Sequence, residues 1–165
     1  MSDNPELVPD TILTGERLYA DAIELILRNA QNELRIFDQD LSHGDFSSKN
    51  KHELLQAYLA NNLNSRLTII LQDTSFFKEK CPRLFNLLAT YSHKMTVLET
   101  NATAKHAKDC FILADGLHYI KRIHIDQARF RYALNDMESV ELLGSRFDEL
   151  LEATQDQVSV NTIGL

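Results

Sequence analysis

The sequence predicts an α/β fold, a layered mixed sheet flanked by helices. Two observations carry the prediction. From Thr14 to Leu98, stripes of helical spacing alternate with short apolar runs rich in β-branched residues. From Phe111 to Leu134 three strand-like runs follow one another, the first two joined by Asp115-Gly116, a good hairpin signal. A sheet that is partly parallel and partly antiparallel accommodates both halves.

Thr14 is placed to cap a first helix whose apolar positions Tyr19, Ile23, Ile26, Leu27 and Ala30 share one face. Leu34 to Asp38 reads as a short strand. Asn50-x-x-Glu53 has the form of a capping box and opens a helix with Leu54, Leu55, Tyr58, Leu59 and Leu63 inward. Leu67 to Leu71 is a second strand, strongly β-branched. Pro82 suits a first helical turn, and Leu84, Leu87, Leu88 and Tyr91 continue that helix's stripe. Met95 to Leu98 is a third strand. Phe111–Leu113, His118–Lys121 and Arg129–Leu134 come next. Asn135-x-x-Glu138 then caps a final helix that turns Val140, Leu143, Phe147, Leu150 and Leu151 inward. From Thr154 the tail alternates weakly at Val158 and Val160, as a strand or as loose chain.

No repeat, low-complexity tract or Pro/Gly/Ser linker divides the chain, so residues 1–165 are expected to form a single domain. At 44% hydrophobic and 25% charged it can bury a core of ordinary size. No apolar run approaches the ~18 residues of a membrane span, and the start, Met1-Ser2-Asp3-Asn4-Pro5-Glu6, lacks the basic and apolar regions of a secretory signal. Cys81 and Cys110 lie far apart and form neither a CxxC nor a disulfide framework; two buried thiols in a reducing cytoplasm are the simplest expectation. His43 and His52 have no second ligand at metal spacing and are expected at the surface, so no metal and no cofactor are predicted.

A net charge of −7 argues against nucleic acid as a partner. The charge is uneven, however. Between Lys105 and Arg131 stand six basic residues against three acidic ones, together with His106, His118 and His124. Arg129 and Arg131 share one strand face by alternation, as do His118 and Arg122 on theirs. Were these strands neighbours, Lys108, His118, Arg122, Arg129 and Arg131 could line a pocket for phosphate or carboxylate. The plainer alternative is a solvated face paired with Asp126 and the acidic last helix.

The same segment, Lys105-His106-Ala107-Lys108-Asp109-Cys110-Phe111-Ile112-Leu113-Ala114-Asp115-Gly116, nearly spells His-x-Lys-x4-Asp. With the order of elements from about Glu16 to Thr154, it resembles one half of the phospholipase D-like fold. The late helix Ser145-Arg146-Phe147-Asp148-Glu149-Leu150-Leu151 is similar to the one that closes such halves. The resemblance implies a site made of two motif copies, completed across a homodimer where a chain carries one. It also implies a chemistry in which one histidine attacks phosphorus, the other protonates the leaving oxygen and lysine neutralises the phosphoryl charge. The resemblance further implies that the motif aspartate structures the turn after the strand.

The spacing admits two registers. With His106 and Lys108 as the pair, the aspartate position is Leu113; with Asp115 as the aspartate, the pair becomes Lys108 and Cys110, and the histidine is lost. The second register is preferred, because two residues inserted in a central strand would need a bulge. The Gly-Ser-x-Asn that often follows the motif in active members is also replaced by Gly116-Leu117-His118-Tyr119. On that register the resemblance implies a non-catalytic phospholipase D-like domain that acts by binding a phosphorylated ligand or a protein partner and pairs with a second copy of itself. The rival is a metal-independent phosphodiesterase or nuclease, a homodimer with His106 as nucleophile, Lys108 as phosphate clamp and Asp115 at the turn.

A further rival rests on Asp38-Gln39-Asp40 after the first strand, which is similar to the first motif of haloacid dehalogenase-type, Mg²⁺-dependent phosphatases. Thr74 and Asp115 would take that family's hydroxyl and late acidic roles. The alternative for Asp38, Asp40 and Asp45 is a turn whose carboxylates cap backbone NH groups beside Gly44.

Overall fold

Eight strands form one mixed sheet in a computed structural model that describes residues 6–159. In chain order the elements are β1 (Leu13–Thr14), α1 (Glu16–Asn29), β2 (Glu33–Asp38), α2 (Lys49–Asn61), β3 (Arg66–Leu71), α3 (Ser75–Lys80), α4 (Pro82–Thr90) and β4 (Met95–Thr100). A 3₁₀ turn at Ala102–Ala104 leads to β5 (Cys110–Ala114), β6 (His118–His124), β7 (Gln127–Ala133), α5 (Met137–Glu152) and β8 (Thr154–Gln157). The strand order is β1-β7-β6-β5-β2-β3-β4-β8. β2, β3 and β4 are parallel, and every other pairing is antiparallel. The layered α/β architecture expected from the sequence is therefore present.

The central strands are long apolar runs because helices cover both of their faces. On one face Ile36, Ile69, Val97, Ile112, Ile120 and Phe130 pack against α1, α2 and α4. On the other, Phe37, Ile70, Phe111 and Leu113 meet Val140, Phe147 and Leu150 of α5. α5 lies close enough to the sheet that a Cβ on Gly144 would stand 3.3 Å from Arg35 Nη2. Cys110, Ile112 and Ala114 of β5 face α1, whereas Phe111 and Leu113 face α5.

Several local expectations shift by a residue or two. α1 has Gly15 at its N-cap rather than Thr14, which is instead in β1. α2 is capped by Ser48, whose side chain accepts from the Lys51 amide, not by Asn50. α5 is capped by Asp136, which accepts from the Ser139 amide and hydroxyl, while Asn135 before it is left-handed. Leu63 follows the end of α2 and is exposed, and Leu151 is exposed on α5, so neither faces the core as expected. The tail forms β8 on the edge of β4 and buries Val158; Val160, expected to alternate with it, lies outside the described residues.

Candidate functional site

The β5–β6 turn is fixed from outside. Asp115 and Gly116 both take positive φ, as tight hairpin turns require, and the Leu117 amide donates to the Ala114 carbonyl at 2.9 Å. The Asp115 carboxylate reaches across to the chain entering β2 and accepts three backbone amides: Gln31 at 2.9 Å, Asn32 at 2.7 Å and Glu33 at 2.9 Å. β2 and β5 run antiparallel, with Leu34 opposite Ala114 and Phe37 opposite Phe111. Asp115 therefore sits at one end of this pair and Cys110 at the other, four to five residues or roughly 15 Å away.

At the Cys110 end a buried polar cluster fills the space between β2, β5, β6 and α1. The Cys110 thiol lies 3.4 Å from the Tyr19 hydroxyl. Arg122, paired with Cys110 across the strands, is 1% exposed and donates from Nη1 and Nη2 to the two Glu16 oxygens, each at 2.9 Å. Its Nε donates to the His124 carbonyl, and its guanidinium stacks 4.9 Å from the Tyr19 ring centre. The hydrogen bonds from Arg122 hold the Glu16 carboxyl below its ordinary range, while burial pushes up the Tyr19 hydroxyl and the Cys110 thiol. A thiol so placed is a weak nucleophile.

Asp38 and Asp40 stand nearby and serve the backbone. Asp38 is buried and accepts from the Leu41 amide at 2.8 Å, and burial raises its pKa. Asp40 accepts from the Ser42 amide and hydroxyl. Asp45 and Gly44 both have positive φ in the same loop. Thr74 donates to Glu99 at 2.8 Å. Asp115 lies at the far end of β2 from Asp38, so the structure does not gather the phosphatase set of Asp38, Asp40, Thr74 and Asp115. Among the described residues no three His, Cys, Asp or Glu side chains cluster as a metal site would.

His106 and Lys108 both lie on the segment before β5 rather than on a strand, and both are exposed. That segment is clasped to the sheet. The Gln72 carboxamide donates to the carbonyls of Ala104 and Ala107, Lys105 Nζ donates to the Gln72 carbonyl, and the Ile125 amide donates to the Lys108 carbonyl. At its end Asp109 accepts from both Arg146 terminal nitrogens, one at 2.7 Å. Burial pushes the Asp109 carboxyl up, but the Arg146 bonds outweigh it and leave the pKa lowered.

The five residues expected to line an anion pocket are divided by the sheet. His118 and Arg122 face α1; His118 is buried with Nδ1 accepting the Asn135 amide, and Arg122 is committed to Glu16. Arg129 and Arg131 lie on the other face and are exposed. Lys108 and Arg131 do meet there, in an open cavity of about 680 Å³ between the outer face of β6–β7 and α5. Lys121 joins them, directly opposite Arg131 in the strand register. Alternation places Lys121 on the other face from Arg122, a hint the sequence carries but whose partner strand it does not.

The fold is that of the phospholipase D-like proteins. Nuc from Salmonella typhimurium, a phospholipase D family member, superposes with a TM-score of 0.63 at 12% identity, over 90% of this chain and 99% of that one. NucT from Helicobacter pylori gives 0.62 at 11% identity, over 87% and 96%. TrmBL2, an archaeal chromatin protein described for a novel mode of DNA binding, gives 0.64 at 12% identity over 92% of this chain. The chain spans only 56% of TrmBL2. Identities this low establish the fold alone. No curated protein matches the sequence. A family model matches residues 15–162, most of the chain, and the chain therefore belongs to the family described as Domain of unknown function (DUF7931).

Proposed function

We propose that this chain is a non-catalytic phospholipase D-like domain that acts by binding a phosphorylated ligand or a protein partner. The observation that supports this most is the role of Asp115. An aspartate that accepts three amides at the β5–β6 turn does what the motif aspartate is needed for. Counting back by the motif spacing from Asp115 gives Cys110 and Lys108 in place of lysine and histidine. The cysteine is buried against Tyr19, and the nearest histidine in sequence, His106, precedes the strand. On this reading residues 1–165 work as one cytoplasmic domain with two unpaired buried thiols, and self-associate through the sheet end where a second motif would stand.

The test is hydrolysis of a generic phosphodiester and of DNA, in EDTA and in Mg²⁺, by the wild type and by His106→Ala. No turnover in either condition is expected. Turnover that survives EDTA and is lost in His106→Ala would replace this reading with the homodimeric phosphodiesterase. Mg²⁺-dependent turnover untouched by that substitution and lost in Asp38→Asn would replace it with the phosphatase.

A further inference from the structure

The cavity on the outer face of β6–β7 has two unlike halves. One is cationic. Lys108, Lys121 and Arg131 line it, and neither Lys108 nor Arg131 has an ion-pair partner among the described residues. Lys121 and Arg131 are directly opposed across the two strands. Like charges so placed repel, a cost that an intervening anion removes. One carboxylate, Asp109, lies in the lining, 3.6 Å from Lys121. Its charge is already matched by Arg146 behind it, through two hydrogen bonds. The three lining cations are thus left in excess, on a protein whose net charge is −7.

The other half is aliphatic. Ile12, Ile123 and Leu142 are 42%, 40% and 72% exposed, and Leu143 is half-buried beside them. The cavity is open on one side, and its volume of about 680 Å³ is within the range of small-molecule sites. Among the described residues Tyr119 is the one aromatic side chain in the lining, and it is buried. Bases of single-stranded nucleic acid stack on exposed aromatic rings, so this wall does not suit them. It suits an alkyl chain.

We infer that this cleft binds a single-chain anionic amphiphile, its phosphate or carboxylate head between Lys108, Lys121 and Arg131 and its alkyl tail along Ile123, Leu142 and Leu143. The site lies on the opposite face of the sheet from Cys110 and Arg122. It names a ligand class for the binding reading above, yet does not depend on whether the motif is active. Absence of amphiphile binding alongside absence of turnover would end this inference and leave that reading intact.

The test is calorimetric titration of the full chain with decyl phosphate and with decanoate, each kept monomeric. Inorganic phosphate, a nonionic decyl glycoside and phosphatidylglycerol vesicles serve as comparators. Saturable binding of either anion is expected, with neither inorganic phosphate nor the glycoside matching it. The relative affinities of phosphate and carboxylate identify the head. Lys121→Gln/Arg131→Gln should weaken binding by about tenfold or more, since two charge-assisted contacts are lost. Leu142→Asp, at a position exposed enough to leave folding alone, should weaken it similarly, whereas Lys49→Gln on α2 should not. Binding to vesicles without binding of the monomers would overturn the inference in favour of a membrane surface. Equal binding of inorganic phosphate, or binding indifferent to both cleft variants, would also overturn it.

Discussion

The hairpin of β6 and β7 carries cations on both faces, and the two faces treat them in opposite ways. On the α1 side Arg122 is buried, bonded through three nitrogens and stacked on Tyr19. On the α5 side Lys121 and Arg131 face each other in the open, and among the described residues one carboxylate, Asp109, lies in the lining, bonded to Arg146 behind it. A guanidinium removed from water must be fully paired or it destabilises the fold. An exposed one can remain unpaired at little cost and be kept for something else. The inner face therefore spends its charge on structure, whereas the outer face leaves its charge available.

That contrast can be broken most directly at Glu16. Glu16→Ala strands the buried guanidinium, and because Glu16 is itself about half exposed the loss is reduced by water, to about 2 kcal/mol. The Glu16 carboxyl titrates below its ordinary value when folded, so its contribution is complete above that value and is lost as pH falls through the lower folded one. Urea unfolding at neutral pH and in acid measures both: the gap between wild type and variant should close in acid. A gap unchanged by pH would mean that packing, not the ion pair, holds Arg122.

Asp109→Asn probes the boundary between the faces. It halves the anchor between α5 and the segment that carries His106, and should cost about 1 kcal/mol. A double-mutant cycle with Arg146→Met should show most of that cost as coupling. Additive losses would show that the segment is held instead by the Gln72 clasp. The smallest effect belongs to the outer face. Arg131→Thr removes a like-charge pair and should leave stability unchanged or raise it by about 0.5 kcal/mol, with the gain fading in salt. A loss as large as that of Glu16→Ala would erase the distinction between the faces.

Legibility in the sequence followed the strength of the physical signal. The central strands were readable because burial on two sides makes Leu67–Leu71 and Phe111–Leu113 nearly all apolar. α3 went unseen because six residues with one buried side chain, Phe77, show no periodicity, and β1 because two residues cannot. The caps of α2 and α5 moved because several neighbouring polar residues could each accept an amide, and the path of the incoming chain decides among them. In the candidate site, Asp115-Gly116 announced its turn, but nothing local revealed that Asp115 would reach the amides of Gln31 to Glu33. Alternation grouped Arg122 with His118 and Arg129 with Arg131 correctly. It could not say that the two groups lie on opposite sides of the sheet, since that follows from the register Cys110–Arg122 and Lys121–Arg131.

The two cysteines turn the molecule into its own clock. Cys81 is buried at the start of α4, and burial pushes its thiol up to about 11. Cys110, equally buried at the start of β5, is raised as well. Each is therefore protonated and shielded at neutral pH, and a thiol reagent reaches it only when its surroundings open. Single-cysteine versions would time the helical layer and the hairpin layer separately. Were the two opening rates to coincide, the parallel and antiparallel halves of the sheet would be one cooperative unit.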